Sequence, residues 1–517
     1  MKMGRLGLIA CVVAILSVAA GGLSASPTGP AVESAVAGLS LVRVESPDAA
    51  GLEDTGGALL GRFSDGALLA ALPDGAPALL QGAGVPATVL DGRIEGSEYW
   101  FIHYRDRALL DRLPPDVAVL HAGAGEALVR AAAARAESLP ESGFEIRRVT
   151  LYPKPLAPRR LSAISPDIAY NSQVQGILDA VSTEWLMLYV KNLSGVNAVT
   201  IGGSPFTLVT RNSYKTEQIQ KATQYAYEFF QSLGLQASYH TFQGAGQRNV
   251  VARKPGATWP DQHVIICGHL DDMPPGPTAP GADDNASGSV GVMAAARILK
   301  DHAFDYSLVF ALWTGEEQGL VGSGFYANQA FNDGMKIRGV VNLDMISYDG
   351  SGGPDLDLHA ISHLPDSMNL CLLFQDVVST YGLYLTPLVL NDGVQYSDHA
   401  SFWDYGFAAM LGIESDNDFT PYYHKTTDTW TTLNPDYFTN YVKASLGTVA
   451  HLAGIRPSGD VNGDHVCDAQ DAVLLAVILA DGGAATLYGP TAGDLNSNGA
   501  QDAGDLVTLL LLLAGAL

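Results

Sequence analysis

Three apolar runs that each end on ionisable residues constrain this chain more than anything else in it: IICGHLD (265–271), FALWTGEE (310–317) and VVNLDM (340–345). Val264 to Cys267 is apolar without alternation, which marks a strand covered on both faces rather than one. His269 and Asp271 follow it directly. A loop rich in Gly and Pro leads to the acidic pair Asp283 and Asp284, and SGSVGVMAAARIL then takes up helical periodicity from Ser287 onward. Strand and helix keep alternating downstream: SLVFALW, then VGSGFYANQ, then RGVVNLDMIS, with FAAMLGIES as a further strand. That alternation predicts an α/β fold with a mostly parallel sheet and helices on both faces. Ligands of such sheets gather outside the carboxyl ends of the strands.

The chain is too long for one ordinary core at 517 residues, so two to four domains are expected. An apolar content of 47% argues for a folded protein rather than a disordered one, and a net charge of −25 argues against a nucleic-acid partner. Lys2 and Arg5, the apolar stretch Leu6 to Ala20 and the small residues Leu23-Ser24-Ala25 read as a secretion signal over 1–25. An uncleaved anchor is the competing reading, and the apolar stretch is short for it. The expected localisation is extracellular, with no membrane span once the signal is removed. Cys11 lies in the signal, and Cys267, Cys371 and Cys467 are too few and too widely spaced for a disulfide framework.

Residues 39–160 read as a separate small α/β unit, either a propeptide or a retained accessory domain. LLAALPDGAPALLQGAGVPATVLD gives strand, helix and strand; WFIHYRD gives a strand; the Ala-rich stretch through AAAARAESL gives strand and helix. Pro153, Pro155 and Pro158 keep the following linker extended. The main domain is expected over 165–455, with a helix pair in QVQGILDAVSTEWLMLYVKNLSG, an amphipathic helix from Glu217 to Gln236, and strands at Ala237–Phe242 and Asn249–Lys254.

One acid after a strand is ordinarily a solvated loop residue. Three such ends in one domain, one carrying a His, ask for another explanation. DFTPYYHKTTDTW adds His424, and the set becomes His269, Asp284, Glu317, Asp344 and His424. Nitrogen and carboxylate donors in this mix suit zinc. Five are too many for one open tetrahedral ion and fit two ions about 3.5–4 Å apart sharing a carboxylate. Glu316, beside Glu317, is the candidate base for the water such a pair would activate.

GHLDD, PGADDNASG, WTGEEQGLVGS, NLDMI, SDHASFW and YYHKTTDT stand in the order and spacing of a known family. Over 165–455 the chain resembles the co-catalytic dizinc aminopeptidases, which include secreted bacterial leucyl aminopeptidases. The resemblance implies that Asp284, rather than Asp283, bridges two Zn2+ ions. Glu317 and His424 would complete one zinc, His269 and Asp344 the other. Glu316 would be the general base, and Asp271 would orient His269. Tyr423 matches a tyrosine that stabilises the oxyanion in some relatives, while others have an apolar residue there. Ser397-Asp398-His399 would be structural rather than a nucleophilic triad. Met345 and Ile413 fall where relatives line the pocket for the first side chain, which favours Leu, Met or Phe.

After IRPSG the character changes. Asp460, Asn462, Asp464, Asp468 and Asp471 fit calcium-loop positions 1, 3, 5, 9 and 12, and Asp494, Asn496, Asn498, Asp502 and Asp505 repeat them 34 residues later. Val466 and Ala500 would add main-chain carbonyls. Each loop leads into an apolar helix. Residues 458–517 resemble a type I dockerin, which implies two Ca2+ ions and a cohesin-like protein partner. His465 departs from the usual Gly, and Ala469-Gln470 and Ala503-Gly504 stand where many dockerins have hydroxyl pairs. The whole predicts a secreted zinc exopeptidase acting on peptide or protein substrates. The alternatives are a carboxypeptidase, dipeptidase or glutaminyl cyclase of the same fold, or a non-catalytic binding module.

Overall fold

The computed structural model describes residues 36, 38–46, 52–94, 98–156, 161, 163–242, 247–350, 353–457, 459–462, 466–480, 495 and 502–514. The signal-like segment 1–25 and the calcium-loop positions Asp464, Asp494, Asn496 and Asn498 lie outside the described residues, as do His465 and Ala500. The chain forms two units: Met1–Arg159 with Asp392–Tyr396 and Asp404–Gly406, and Arg160–Asn391 with Ser397–Trp403 and Phe407–Leu517.

The first unit corrects the α/β expectation for residues 39–160. It is built from two antiparallel four-stranded sheets. One holds β1 (Ser40–Val44), β2 (Ala58–Arg62), β3 (Leu68–Leu72) and β4 (Ala87–Asp91) in the order β2-β3-β1-β4. The other holds β5 (Tyr99–His103), β6 (Ala118–Ala122), β7 (Glu126–Arg130) and β8 (Glu145–Arg148) in the order β6-β7-β5-β8. Among the described residues of this unit, the helices are α1 (Ala76–Gly82) and the single turn α2 (Ala133–Ala136), apart from helical Val36 and short 3₁₀ turns. The Ala-rich stretch fails as a long helix because EALVR is claimed as a strand, paired on one side by β5 and on the other by β6. Tertiary pairing overrides the helix propensity of Glu, Ala and Leu there.

The second unit starts with α3 (Ser172–Asp179) and α4 (Thr183–Leu193), the expected helix pair. Asn171 caps the first by accepting from the amides of Gln173 and Val174, and Ser182 caps the second at Trp185. A two-stranded ribbon, β9 (Val199–Ile201) and β10 (Ser204–Phe206), precedes α5 (Thr216–Ser232). That helix buries Ile219, Ala222, Thr223, Ala226 and Phe230, the three-and-four spacing of one apolar face.

The central sheet comprises β11 (Gln236–Phe242), β12 (Gln247–Lys254), β13 (Trp259–His269), β14 (Tyr306–Trp313), β15 (Lys336–Leu343), β16 (Asp355–His359), β17 (Thr386–Leu390) and β18 (Ala409–Glu414). Its order is β11-β12-β14-β13-β15-β18-β16-β17. The four central strands β14, β13, β15 and β18 are parallel to one another, and antiparallel pairs occur only farther out. The sheet is therefore mixed and mostly parallel, as the apolar runs require.

Both faces are covered. Val264, Ile266, Phe310, Leu312, Val341 and Leu343 belong to one core with α6 (Gly288–Leu299). On the opposite face Trp313 packs on Tyr326 of α7 (Val321–Asn332) at 4.9 Å between ring centroids. Further helices are α8 (Pro365–Thr380), α9 (His399–Trp403) and α10 (Pro435–Leu452), the last capped by Asn434. Every residue of α6 except Arg297 is buried, so it runs through the core.

At the C-terminus, α11 (Ala469–Ala480) and α12 (Ala503–Leu513) follow the two acidic loops. The hydrogen bonding of the described parts repeats at the 34-residue spacing. Asp471 accepts from the amides of Val461 and Asp468, and Asp505 accepts from those of Leu495 and Asp502. Val473, Val477, Val507 and Leu511 are exposed, and they too are 34 residues apart in pairs. No described helix is long and apolar enough to cross a membrane.

Candidate metal centre

Strand order explains how residues 155 positions apart in sequence meet. β14, β13 and β15 lie side by side and run parallel, so their carboxyl ends share one edge of the sheet. His269 is the last residue of β13. Glu316 and Glu317 follow β14 across a turn at Gly315, whose φ is +74°. Asp344 follows β15, its amide donating to Gly412 O of β18 at 3.1 Å.

Asp284 comes from the turn Ala282–Ser287 that opens α6, and the polar residues of this motif stitch that turn to the strand ends. Asn285 donates to Leu343 O at 2.9 Å and accepts from the amides of Gly288 and Met345. Ser287 accepts from the Ile346 amide, and Ser289 donates to His269 O at 2.6 Å. Gly288 is required by proximity: a Cβ there would stand 2.3 Å from Leu343 O and 2.4 Å from Asn285 Oδ1.

These constraints bring the five predicted ligands together. His269 Nε2 lies 3.3 Å from Asp284 Oδ1 and 3.2 Å from Asp344 Oδ1. His424 Nε2 lies 3.3 Å from Asp284 Oδ2 and 3.0 Å from Glu317 Oε2. Asp284 thus offers one oxygen to each imidazole. His424 has a positive φ of 53°, held in a tight turn. Glu316 joins His269 and Glu317 in a group whose donor atoms lie within 4.8 Å of one another.

The acids are packed where ionisation is costly. Burial, with the neighbouring Glu317, pushes the Glu316 carboxyl well above the usual range, against the pull of His269. Burial pushes Glu317 up to about 8, against the pull of His424. Asp284 goes the other way: burial opposes its ionisation, but hydrogen bonds from His269 and His424 hold its carboxyl well below the usual range. Both imidazoles are raised by the surrounding carboxylates in spite of burial. A site so rich in buried acids calls for cationic charge. Glu317 Oε1 is buried without a hydrogen-bond partner, as an oxygen reserved for a metal would be. His and carboxylate donors in this proportion fit zinc.

Around the ligands the structure adds detail that the motifs did not carry. The Asp271 carboxylate accepts from Ser213 Oγ (3.0 Å), Gly315 N (2.9 Å) and Glu316 N (3.4 Å). His269 Nδ1 is nearer the Asp271 main-chain oxygen (3.2 Å) than its carboxylate (3.8 Å). Asp271 therefore seats the loop bearing Glu316 as well as flanking His269. Ser397 Oγ donates to Asp344 Oδ2 at 2.6 Å and accepts from Asn342 Nδ2 at 2.8 Å. Its proton is committed to the Asp344 carboxylate. Asp398 and His399 are fully buried beside it.

Met345 and Ile413 sit at the adjoining ends of β15 and β18, each 3% exposed. The Tyr423 ring stacks on the His424 imidazole with centroids 3.6 Å apart and meets Phe419 edge-on. Ser213 and Asp428 went unremarked as contributors in the sequence. Ser213 lies in a loop with no motif, and Asp428 belongs to HKTTDT without a feature that separates it from a solvated acid.

Residues 249–449 match the family described as Peptidase family M28. A "Probable leucine aminopeptidase" of Trichophyton verrucosum is 32% identical over 216 residues, which cover 40% of this chain and 57% of that protein. "Leucine aminopeptidase 1" of Arthroderma otae is 32% identical over 222 residues, covering 40% and 58%. The chain thus spans little more than half the length of these relatives. In structure it is similar to the Legionella pneumophila LapA aminopeptidase, with a TM-score of 0.56 and 18% identity, over 69% of this chain and 98% of that one. At that identity the likeness speaks for the fold.

Proposed function

We propose, from the match of residues 249–449 to peptidase family M28, that this chain is an aminopeptidase that uses two zinc ions to remove N-terminal residues, chiefly apolar ones, from peptides. One observation carries the reading: Asp284 stands between His269 and His424, with Asp344 on one side and Glu317 on the other. His269, Asp284 and Asp344 would hold one ion, and Asp284, Glu317 and His424 the second. The bound ions would supply Lewis acidity toward a water and the scissile carbonyl.

The chain's own groups do the rest. Glu316, grouped with His269 and Glu317, takes the proton of the water and returns it to the leaving amine. Asp271 holds the main chain of Gly315 and Glu316 so that this carboxylate stays on station. Tyr423, fixed by stacking on His424, is the candidate donor to the oxyanion. Met345 and Ile413 are the candidate apolar wall for the first side chain.

The test is hydrolysis of Leu-p-nitroanilide beside its N-acetylated form, with and without a zinc chelator. The expected result is chelator-sensitive cleavage of the free-amine substrate alone, with Leu preferred over Lys and Glu amides by about tenfold or more. Cleavage of neither substrate by a protein holding two zinc ions points to the carboxypeptidase or cyclase alternative.

The C-terminal segment is read as a dockerin-like module that binds two calcium ions, and the chain as a secreted protein. The 34-residue repeat of Asp471 and Asp505 with their main-chain donors supports the module. The exposed pairs Val473 with Val507 and Val477 with Leu511 would suit a cohesin-like partner. Calcium is expected to protect residues 458–517 from limited proteolysis. Equal digestion with and without it would remove that reading.

A further inference from the structure

Three consecutive amides converge on one buried residue outside the ligand set. Ala282 N donates to the Asp428 main-chain oxygen at 3.3 Å. Asp283 N donates to Asp428 Oδ1 and Oδ2 at 3.0 and 3.1 Å, and Asp284 N to Oδ2 at 3.0 Å. Asp428 is 2% exposed. It lies four residues after His424, in a loop that folds back on itself through Lys425 N to Tyr422 O and Asp428 N to Lys425 O, both 3.0 Å. On the far side Asp283 Oδ1 is held by the Ser347 amide and hydroxyl at 2.9 and 2.7 Å.

We propose that Asp428 is the positioning residue of the whole centre. It locks the main chain of residues 282–284 to the loop that bears His424, and so aims the Asp284 carboxylate between the two imidazoles. The argument is geometric. The direction of a side chain as short as Asp is set by its own backbone, and the amides of Ala282, Asp283 and Asp284 itself all end on Asp428. Because Asp284 faces both His269 and His424, a shift in its backbone moves a donor away from both metal positions at once. Partners that orient ligands in this way are typically worth about 10–100-fold in metal affinity.

The inference rests on the two-zinc reading, and the experiment separates the two. Metal-free full-length protein is titrated with zinc against a chromophoric chelator. The wild type is expected to take up two equivalents. Asp428→Asn is expected to fold and to bind both equivalents about 10–100-fold more weakly, in parallel. Ser397→Ala, which removes a donor to Asp344 alone, is expected to weaken one equivalent and spare the other. Wild-type affinity for both ions in Asp428→Asn overturns the proposal, as does loss of only one. So does a lower melting temperature of the metal-free protein with unchanged zinc affinity, the signature of a purely structural role. Should Asp428→Asn fail to fold, Asp428→Glu keeps the charge and acceptors on a longer arm. A parallel but smaller loss supports the proposal there, and unchanged affinity overturns it. Uptake of fewer than two equivalents by the wild type sinks the two-zinc reading and this inference together.

Discussion

Glu316→Ala is expected to keep both zinc ions and the fold while losing about 10²–10⁴-fold in kcat, the usual worth of a positioned general base. The expectation follows from a division of labour between adjacent acids. Glu317 Oε2 lies 3.0 Å from His424 Nε2, inside the ligand set, whereas Glu316 reaches that set only through the group it shares with His269 and Glu317. Gly315, Glu316 and Glu317 form a turn whose first two amides are held by Asp271, so removing the Glu316 side chain leaves the turn in place. KM should move little, because the base acts on a proton rather than on substrate binding. Zinc content by atomic emission and kcat by initial rates are the two measurements. A variant that loses both ions would mean that the base and the ligand have been interchanged.

Arg211→Met is expected to cost about 3–5 kcal/mol in unfolding free energy, the range for breaking a buried charge pair. Arg211 is fully buried, with its guanidinium spread over main-chain oxygens from three segments. Nε donates to Leu270 O at 2.7 Å, Nη1 to Leu193 O at 2.7 Å and Pro280 O at 3.0 Å, and Nη2 to Gly281 O at 2.9 Å. Nη1 also lies 3.3 Å from the buried Asp272 carboxylate. Methionine fills similar space and leaves four carbonyls without their donor and the Asp272 carboxylate without its counter-charge, held only by Thr210 Oγ1 and the amide of residue 211. The carbonyls of Leu270 and of Pro280 and Gly281 flank His269 and Asp284 in sequence, so this arginine ties the end of β13 to the approach to α6. Urea denaturation of metal-free protein reads the cost. A loss below about 1 kcal/mol would show that water replaces the guanidinium. Adding Asp272→Leu to Arg211→Met should recover part of the loss, since the stranded charge goes with it.

The central sheet was legible because its strands carry their own signature. Val264 to Cys267 and Leu308 to Trp313 are apolar at every position, and both faces of each are covered in the fold. The five candidate ligands were legible for a related reason: four of them fall at or just beyond a strand end or at the mouth of a helix, where an ionisable residue stands out against apolar sequence. The stretch through AAAARAESL, expected as one strand and a helix, gives two strands and a single helical turn, because Glu, Ala and Leu beside an Ala-rich run favour helix locally and only pairing with other strands decides otherwise. Ser213 and Asp428 were invisible for a third reason. Each is a small polar residue in a loop, and its importance lies wholly in which amides the folded chain delivers to it.

The arrangement β14-β13-β15 places the chain's reversal of direction across the sheet at β13. The crossover through α6 leads to one neighbour and the crossover through α7 to the other. The candidate donors His269, Glu317 and Asp344 are rooted at these strand ends and Asp284 in the turn bolted to them, while His424 comes from the loop that also carries Tyr422, whose ring centroid lies 6.1 Å from that of Tyr348. Four of the five candidate donors therefore belong to the framework of the sheet, and one is delivered by a loop. Descendants of such a protein can lengthen or exchange the loops that carry no donor without disturbing that framework, whereas the loop of His424 has to keep its length and its turn.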